Sequence, residues 1–257
     1  MDTPWLLTWL PDDISIGFYC CALFGAFCLG FSKAGFPGMA LVNVVLIAEL
    51  FGAKESVGII LPLLICADIT VFPMFRKFAT WSDVVPLLIP IGFGLVGGYF
   101  LLGSIDNSVA RPVVGGIILS MVCLQLLRVY RQAFLSHLPD AGAFRWGAGL
   151  VIGVSTMMAN AAGPVYSVYA LVHKMEKNEF LGIGARCFLI VNIVKVPFMT
   201  DLDIINTRSL WIDACLLPGV FIGIFIGRKV IAKIPQKVFE ILLYIFSIVA
   251  GGRLLFF

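Results

Sequence analysis

Ten apolar runs, at 14–31, 38–52, 57–75, 82–102, 109–127, 146–159, 163–175, 180–199, 209–227 and 238–257, fill most of the 257 residues. A helix rises 1.5 Å per residue, so roughly 20 apolar residues cross about 30 Å of hydrocarbon. Most of the runs reach that length. In lipid every backbone N–H and C=O must be satisfied inside the protein, and a helix does this within one segment. The runs therefore predict an all-α polytopic membrane protein. The chain is 60% hydrophobic and 13% charged, against about 45–50% and about 25% in soluble domains. That balance excludes a disordered chain, a coiled coil, a nucleic-acid binder and a cytosolic enzyme. The formal charge of +3 names no partner. The start, MDTPWLLTWLPDDI, has no basic region and reads as a mature N-terminus rather than a signal peptide.

Four runs are short, and they come as two pairs: 14–31 with 38–52, and 146–159 with 163–175. Each pair is interrupted by a Gly/Pro break, GFSKAGFPG at 30–38 and MANAAGP at 158–164. Pro164 follows Pro37 by 127 residues, and at the same offset Lys33 falls on Asn160 and Asp68 on Lys195. Trp81 and Trp211 match at an offset of about 130, so the chain reads as an internal duplication of about 115 residues. Repeat 1 spans 14–127, the linker 128–145 and repeat 2 146–257. Each repeat is expected to begin with a broken or re-entrant helix pair and continue with three transmembrane helices.

Basic residues in short loops mark the cytoplasmic side. Arg76 and Lys77, Arg128, Arg131 and Arg145, Lys174 and Lys177, and Arg228, Lys229, Lys233 and Lys237 place four loops inside. The N-terminus, the 104–108 turn and the 201–203 loop are poor in basic residues and belong outside, with Lys54 and Arg208 as exceptions. The two repeats then enter from opposite sides, an inverted-repeat architecture of the kind secondary transporters use.

Irregular backbone at membrane depth is tolerated only where it is buried in protein or lines a wet cavity. Two breaks at matching places point to a site at the repeat interface. The half-helix starting at each Pro turns free N–H groups and a positive dipole end toward it, which suits an anion. Lys33 lies in the first break, where an ammonium costs roughly 2.5–3.5 kcal/mol to insert; a bound anion would offset that, and so would snorkelling to a headgroup. Ser32 and Asn160 add donors. Asp68 and Lys195, mid-run and repeat-equivalent, read as a proton or gating pair, or as a static ion pair. Asn192 lies one turn before Lys195, and Arg186 faces either the anion path or the inner surface. Ser155 and Thr156 either line the cavity or bond back to their own helix.

The seven cysteines sit inside apolar runs without CxxC or metal-ligand spacing, so neither a metal nor a cofactor is expected. No hydrolase or P-loop motif occurs, which argues against an enzyme.

GFSKAGFPG, PLLICADI, MMANAAGPVYSVYAL and FLGIGARCFLIVNIVKVPF, in that order, resemble the TauE/SafE family of sulfite and organosulfonate exporters, over essentially the whole chain. The resemblance implies a duplicated fold in a bacterial inner membrane and a small anionic cargo such as sulfite, an organosulfonate or a related organic anion. It maps Lys33, Gly35, Pro37 and Gly38 onto the first motif and Asp68 onto the Asp after the PLLI run. Asn160, Gly163 and Pro164 map onto the second broken motif, with Asn where many relatives have His. Asn192, Lys195 and Pro197 map onto an N-x-x-K-x-P pattern. The family's usual Gly-Gly-Gly cluster is replaced here by Ser32-Lys33-Ala34-Gly35.

The expectation is an alternating-access anion transporter, exporting its cargo and coupled to protons or another ion. The rival is a membrane-embedded assembly factor for a respiratory or metal centre, which would carry organised Cys, His or Met ligands. Small residues such as Gly92, Gly94, Gly97 and Gly98 allow close packing within one chain or in a homodimer.

Overall fold

The computed structural model describes residues 16–34, 39–136 and 142–230, and all of its regular structure there is helical. The chain runs through α1 (Ile16–Lys33), α2 (Met39–Phe51), α3 (Ala53–Phe75), α4 (Trp81–Ser104) and α5 (Asn107–Tyr130), with a 3-10 turn at Arg76–Phe78. It continues with α6 (Gln132–Ser136), α7 (Gly142–Ala159), α8 (Gly163–Val172), α9 (Lys177–Asp201) and α10 (Thr207–Val230). Six of these, α1, α3, α4, α5, α9 and α10, are long and apolar enough to cross a membrane. The protein is thus an all-helical membrane protein. The segment read as a linker holds the end of α5, α6 and the start of α7. The run 238–257 and the residues Gly35, Pro37 and Gly38 lie outside the described residues.

α2 has 13 residues and α8 has 10, about 20 Å and about 15 Å of helix, too short to span. Both are expected half-helices, and the second break shows how one starts. Asn160 ends α7 in the left-handed conformation, φ 51°, which Asn tolerates better than most residues. Pro164 then stands in the first turn of α8, where its missing N–H costs nothing.

Two helix pairings dominate the packing: α1 against α10 and α4 against α7. Both are glycine seams. A Cβ on Gly223 would lie 2.2 Å from the Phe27 carbonyl oxygen, and one on Gly153 2.3 Å from that of Ile91. Without a hydrophobic force between helices in lipid, such close backbone approach supplies the association. The seams are reciprocal in chain order: α1 packs on α10, the third helix after α7, and α7 packs on α4, the third helix after α1. α3 and α9 cross between them.

Large apolar side chains point outward from the bundle. Phe93, Phe100, Phe221 and Phe225 are all exposed, an apolar surface that only a bilayer covers in a chain of this kind. Between spans, Asp106 caps α5. Its carboxylate accepts from the Ser108 hydroxyl and the Val109 N–H, which hold it below the usual carboxylate range.

Candidate functional site

The break between α7 and α8 opens onto a cavity of about 130 Å³. Its polar lining is Ser32 and Lys33 from α1, Asp68 from α3, Thr156 and Asn160 from the α7 end, and Asn192 from α9. Gly163 also lines it, and a Cβ there would meet nothing within 4 Å. The start of α8 therefore faces open space. Tyr166, Phe180 and Phe188 form an aromatic wall. Tyr166 donates to the Phe180 carbonyl at 2.7 Å and stacks on the Phe180 ring at 4.8 Å.

Lys33, the last residue of α1, puts its ammonium 2.5 Å from Oδ1 of Asp68. The Asn192 amide donates to Oδ2 of the same carboxylate at 2.7 Å. Asp68 is 1% exposed and Lys33 19%, so the carboxylate is enclosed while the ammonium borders the cavity. The Phe188 ring lies 5.4 Å from the Lys33 ammonium, on a cation–π footing.

Lys195 is fully buried. It donates to the Thr156 carbonyl at 2.6 Å and to Oδ1 of Asn160 at 2.5 Å. Asn160 in turn donates to the Val57 carbonyl at 2.9 Å. No carboxylate among the described residues forms an ion pair with Lys195. Sequence symmetry suggested an Asp68–Lys195 pair; instead Asp68 accepts from Lys33 and Asn192, and Lys195 donates to Thr156 and Asn160. The two contacts, Lys33–Asp68 and Lys195–Asn160, each span 35 residues. At the 127-residue offset read from the sequence, Lys33–Asp68 falls on Asn160–Lys195, with cation and acceptor exchanged.

Arg186 is not part of the cavity lining. Its guanidinium lies 5.7 Å from the Phe72 ring and 5.3 Å from the Trp81 ring, with Nε and Nη1 buried and without a hydrogen-bond partner among the described residues. It precedes Lys195 by nine residues, which at about 100° per residue puts it on the opposite face of α9. Ser155 bonds back to the Ile152 carbonyl at 3.2 Å, while Thr156 serves Lys195 and the cavity. Sequence reasoning missed Tyr166 as a wall residue; its only signal was an aromatic two positions beyond the Pro that starts α8.

A second cavity, about 520 Å³, lies at the other end of α3 and is lined by Lys54, Glu55, Asp203, Asn206 and Arg208 among others. Lys54 also donates to the Ile105 carbonyl at 3.0 Å, tying the start of α3 to the α4–α5 turn. Between the two cavities Ile60 and Leu61 of α3 and Lys195 and Met199 of α9 are closely buried. Lys195 thus sits in the packed layer that separates one cavity from the other.

The sequence model described as "Sulfite exporter TauE/SafE" matches residues 21–254, nearly the whole chain. The chain belongs to the TauE/SafE sulfite exporter family. Neither a curated protein nor a solved structure matches it. As a member of TauE/SafE the protein is a membrane transporter.

Proposed function

We propose that this protein is a secondary transporter of small monoanions in a bacterial inner membrane. Hydrogen sulfite, an organosulfonate or a related organic anion is the cargo, exported by alternating access. The observation that carries this reading is the Lys33 ammonium at the edge of the cavity, beside the open start of α8. A compact cation and a half-helix start that face one small cavity suit a single small anion. Buried charge without a partner is costly in a membrane, and such residues mark substrate or ion paths.

The donors suit an oxyanion. Lys33, the Asn160 and Asn192 side chains and the open start of α8 surround the polar side, and the aromatic wall accommodates a short alkyl group. Half-helix dipole ends aimed at an anion are a recurring device in transporters of inverted-repeat design. The reciprocal seams, α1 with α10 and α4 with α7, support two inverted repeats that can rock about the α3–α9 crossing. Cavities at either end of α3, with a closely packed layer between them, support alternating access.

The test is flux of a panel of anions into vesicles holding the purified protein. Saturable transport of methanesulfonate or hydrogen sulfite, with mutual competition, is expected. Failure of every anion in the panel to cross or to bind would overturn the reading.

A further inference from the structure

Asp68 occupies the position an anion needs. Among the described residues it is the only carboxylate in the cavity lining, and Lys33 is the only cation there. Its two oxygens are both taken, one by Lys33 and one by Asn192. A substrate oxyanion seeking Lys33 therefore competes with a fixed, enclosed carboxylate. Two negative charges sharing one ammonium disfavour each other at close range, and adding a proton to one of them removes the conflict.

We infer that the coupling ion is a proton and that Asp68 carries it: protonation of Asp68 releases Lys33 to the anion, so one proton and one monoanion bind together. This rests on the anion-transport reading and names the co-substrate of the same site. The proton comes from water in the open cavity and bonds to Oδ1 of Asp68, the oxygen that Lys33 leaves. The neutral carboxyl keeps its Oδ2 contact with the Asn192 amide. Lys33 turns from Asp68 to the anion, and no other bond changes.

The charge count favours this coupling. Empty, the cavity lining holds Lys33 positive and Asp68 negative. Loaded with one proton and one monoanion, it has the same net charge. The empty and loaded forms then cross the membrane field with equal ease, whereas an anion bound without a proton would leave the site one charge lower. Net movement follows the product of the anion and proton gradients, outward where the anion accumulates inside.

The other titratable groups around Asp68 leave it as the exchanging carboxylate. Lys33 reaches it from α1, and Cys187 and Lys195 act on it from α9. Tyr166 shares the cavity from α8, while its hydroxyl is committed to the Phe180 carbonyl. Asp213 of α10 acts on Cys66, on another part of α3. α2, α5 and α7 present no titratable side chain to the cavity.

The test uses the purified full-length protein in unbuffered detergent solution near neutral pH, with methanesulfonate as the probe because its acid is fully dissociated. A glass electrode should record uptake of about one proton per anion bound, and affinity should fall about tenfold per pH unit as the pH rises. Asp68→Asn keeps the shape and the Asn192 contact but holds no exchangeable carboxyl proton. It should bind methanesulfonate with no proton uptake and with an affinity independent of pH. The wild-type measurement stands by itself if that variant does not fold. Anion binding by the wild type without proton uptake overturns the proton assignment and leaves the transport reading intact. So does proton uptake that persists in Asp68→Asn. Absence of any anion binding overturns both.

Discussion

Lys195 donates to Asn160 at 2.5 Å across 35 residues of chain, the same separation that joins Lys33 to Asp68. One contact is an amine on an amide and the other an ammonium on a carboxylate. The Lys33–Asp68 pair borders the cavity, and the Lys195–Asn160 pair reaches into the layer that closes it.

Removing the cavity-facing cation should weaken anion binding without unfolding the protein. Lys33→Gln keeps length and a donor, and binding of methanesulfonate should fall roughly 10–100-fold, a lost charge-assisted contact of about 1.5–3 kcal/mol. Lys33→Arg should be intermediate, because a planar fork does not replace a compact ammonium. Calorimetric titration reads the affinity. Unchanged affinity in Lys33→Gln would place the site elsewhere.

The Lys195–Asn160 contact should show as energetic coupling. Asn160→Ala strips an acceptor from a buried amine and a donor from the Val57 carbonyl, and should cost about 2–4 kcal/mol in stability. In a Lys195→Met background the same change should cost clearly less, because no buried amine is left without its acceptor. A double-mutant cycle on thermal or denaturant unfolding measures this. Strict additivity would mean that the two side chains do not interact.

The glycine seams should be far less tolerant than glycines elsewhere on the same helices. Gly153→Ala and Gly94→Ala drive a Cβ to within 2.3 Å and 2.4 Å of a backbone oxygen. Gly147→Ala and Gly97→Ala, on the same α7 and α4, meet nothing within 4 Å. Size-exclusion profiles in detergent should show loss of folded protein for the first two. The second two should stay within about 0.5 kcal/mol of the parent.

Asp213 is buried in α10, and neither of its oxygens has a hydrogen-bond partner among the described residues. A buried acceptor left without a partner costs about 1–3 kcal/mol. Asp213→Leu removes both oxygens at similar volume and should raise the melting temperature by a few degrees. A fall in melting temperature would show that this carboxyl is supporting the fold.

Orientation is open to impermeant labelling of single cysteines in a cysteine-free background. Ser104→Cys and Ser108→Cys should react from outside, and Lys77→Cys from inside, by the basic-loop bias. Labelling of position 77 from outside would reverse the assignment.

Much of this was legible in the chain itself. Run lengths fixed the spans, because the thickness of hydrocarbon sets how many apolar residues a helix needs. The duplicated breaks located the half-helices, since Gly and Pro act on the backbone locally. Lys33, Asp68, Asn160, Asn192 and Lys195 stood out because charged and amide groups at depth are costly wherever they sit.

Partnership was a different matter. Which carboxylate meets which ammonium depends on how far each helix is rotated about its axis and where it crosses its neighbours. Those angles come from seams such as Gly153 on Ile91 and Gly223 on Phe27, formed between residues more than sixty positions apart. They turn Asp68 toward Lys33 and Asn192 and leave Lys195 to the end of α7. They also set Arg186 against Phe72 and Trp81, away from the cavity. The sequence carried the residues, because their cost in lipid is local; tertiary packing alone chose the pairs, because a pair exists only after two distant helices have docked.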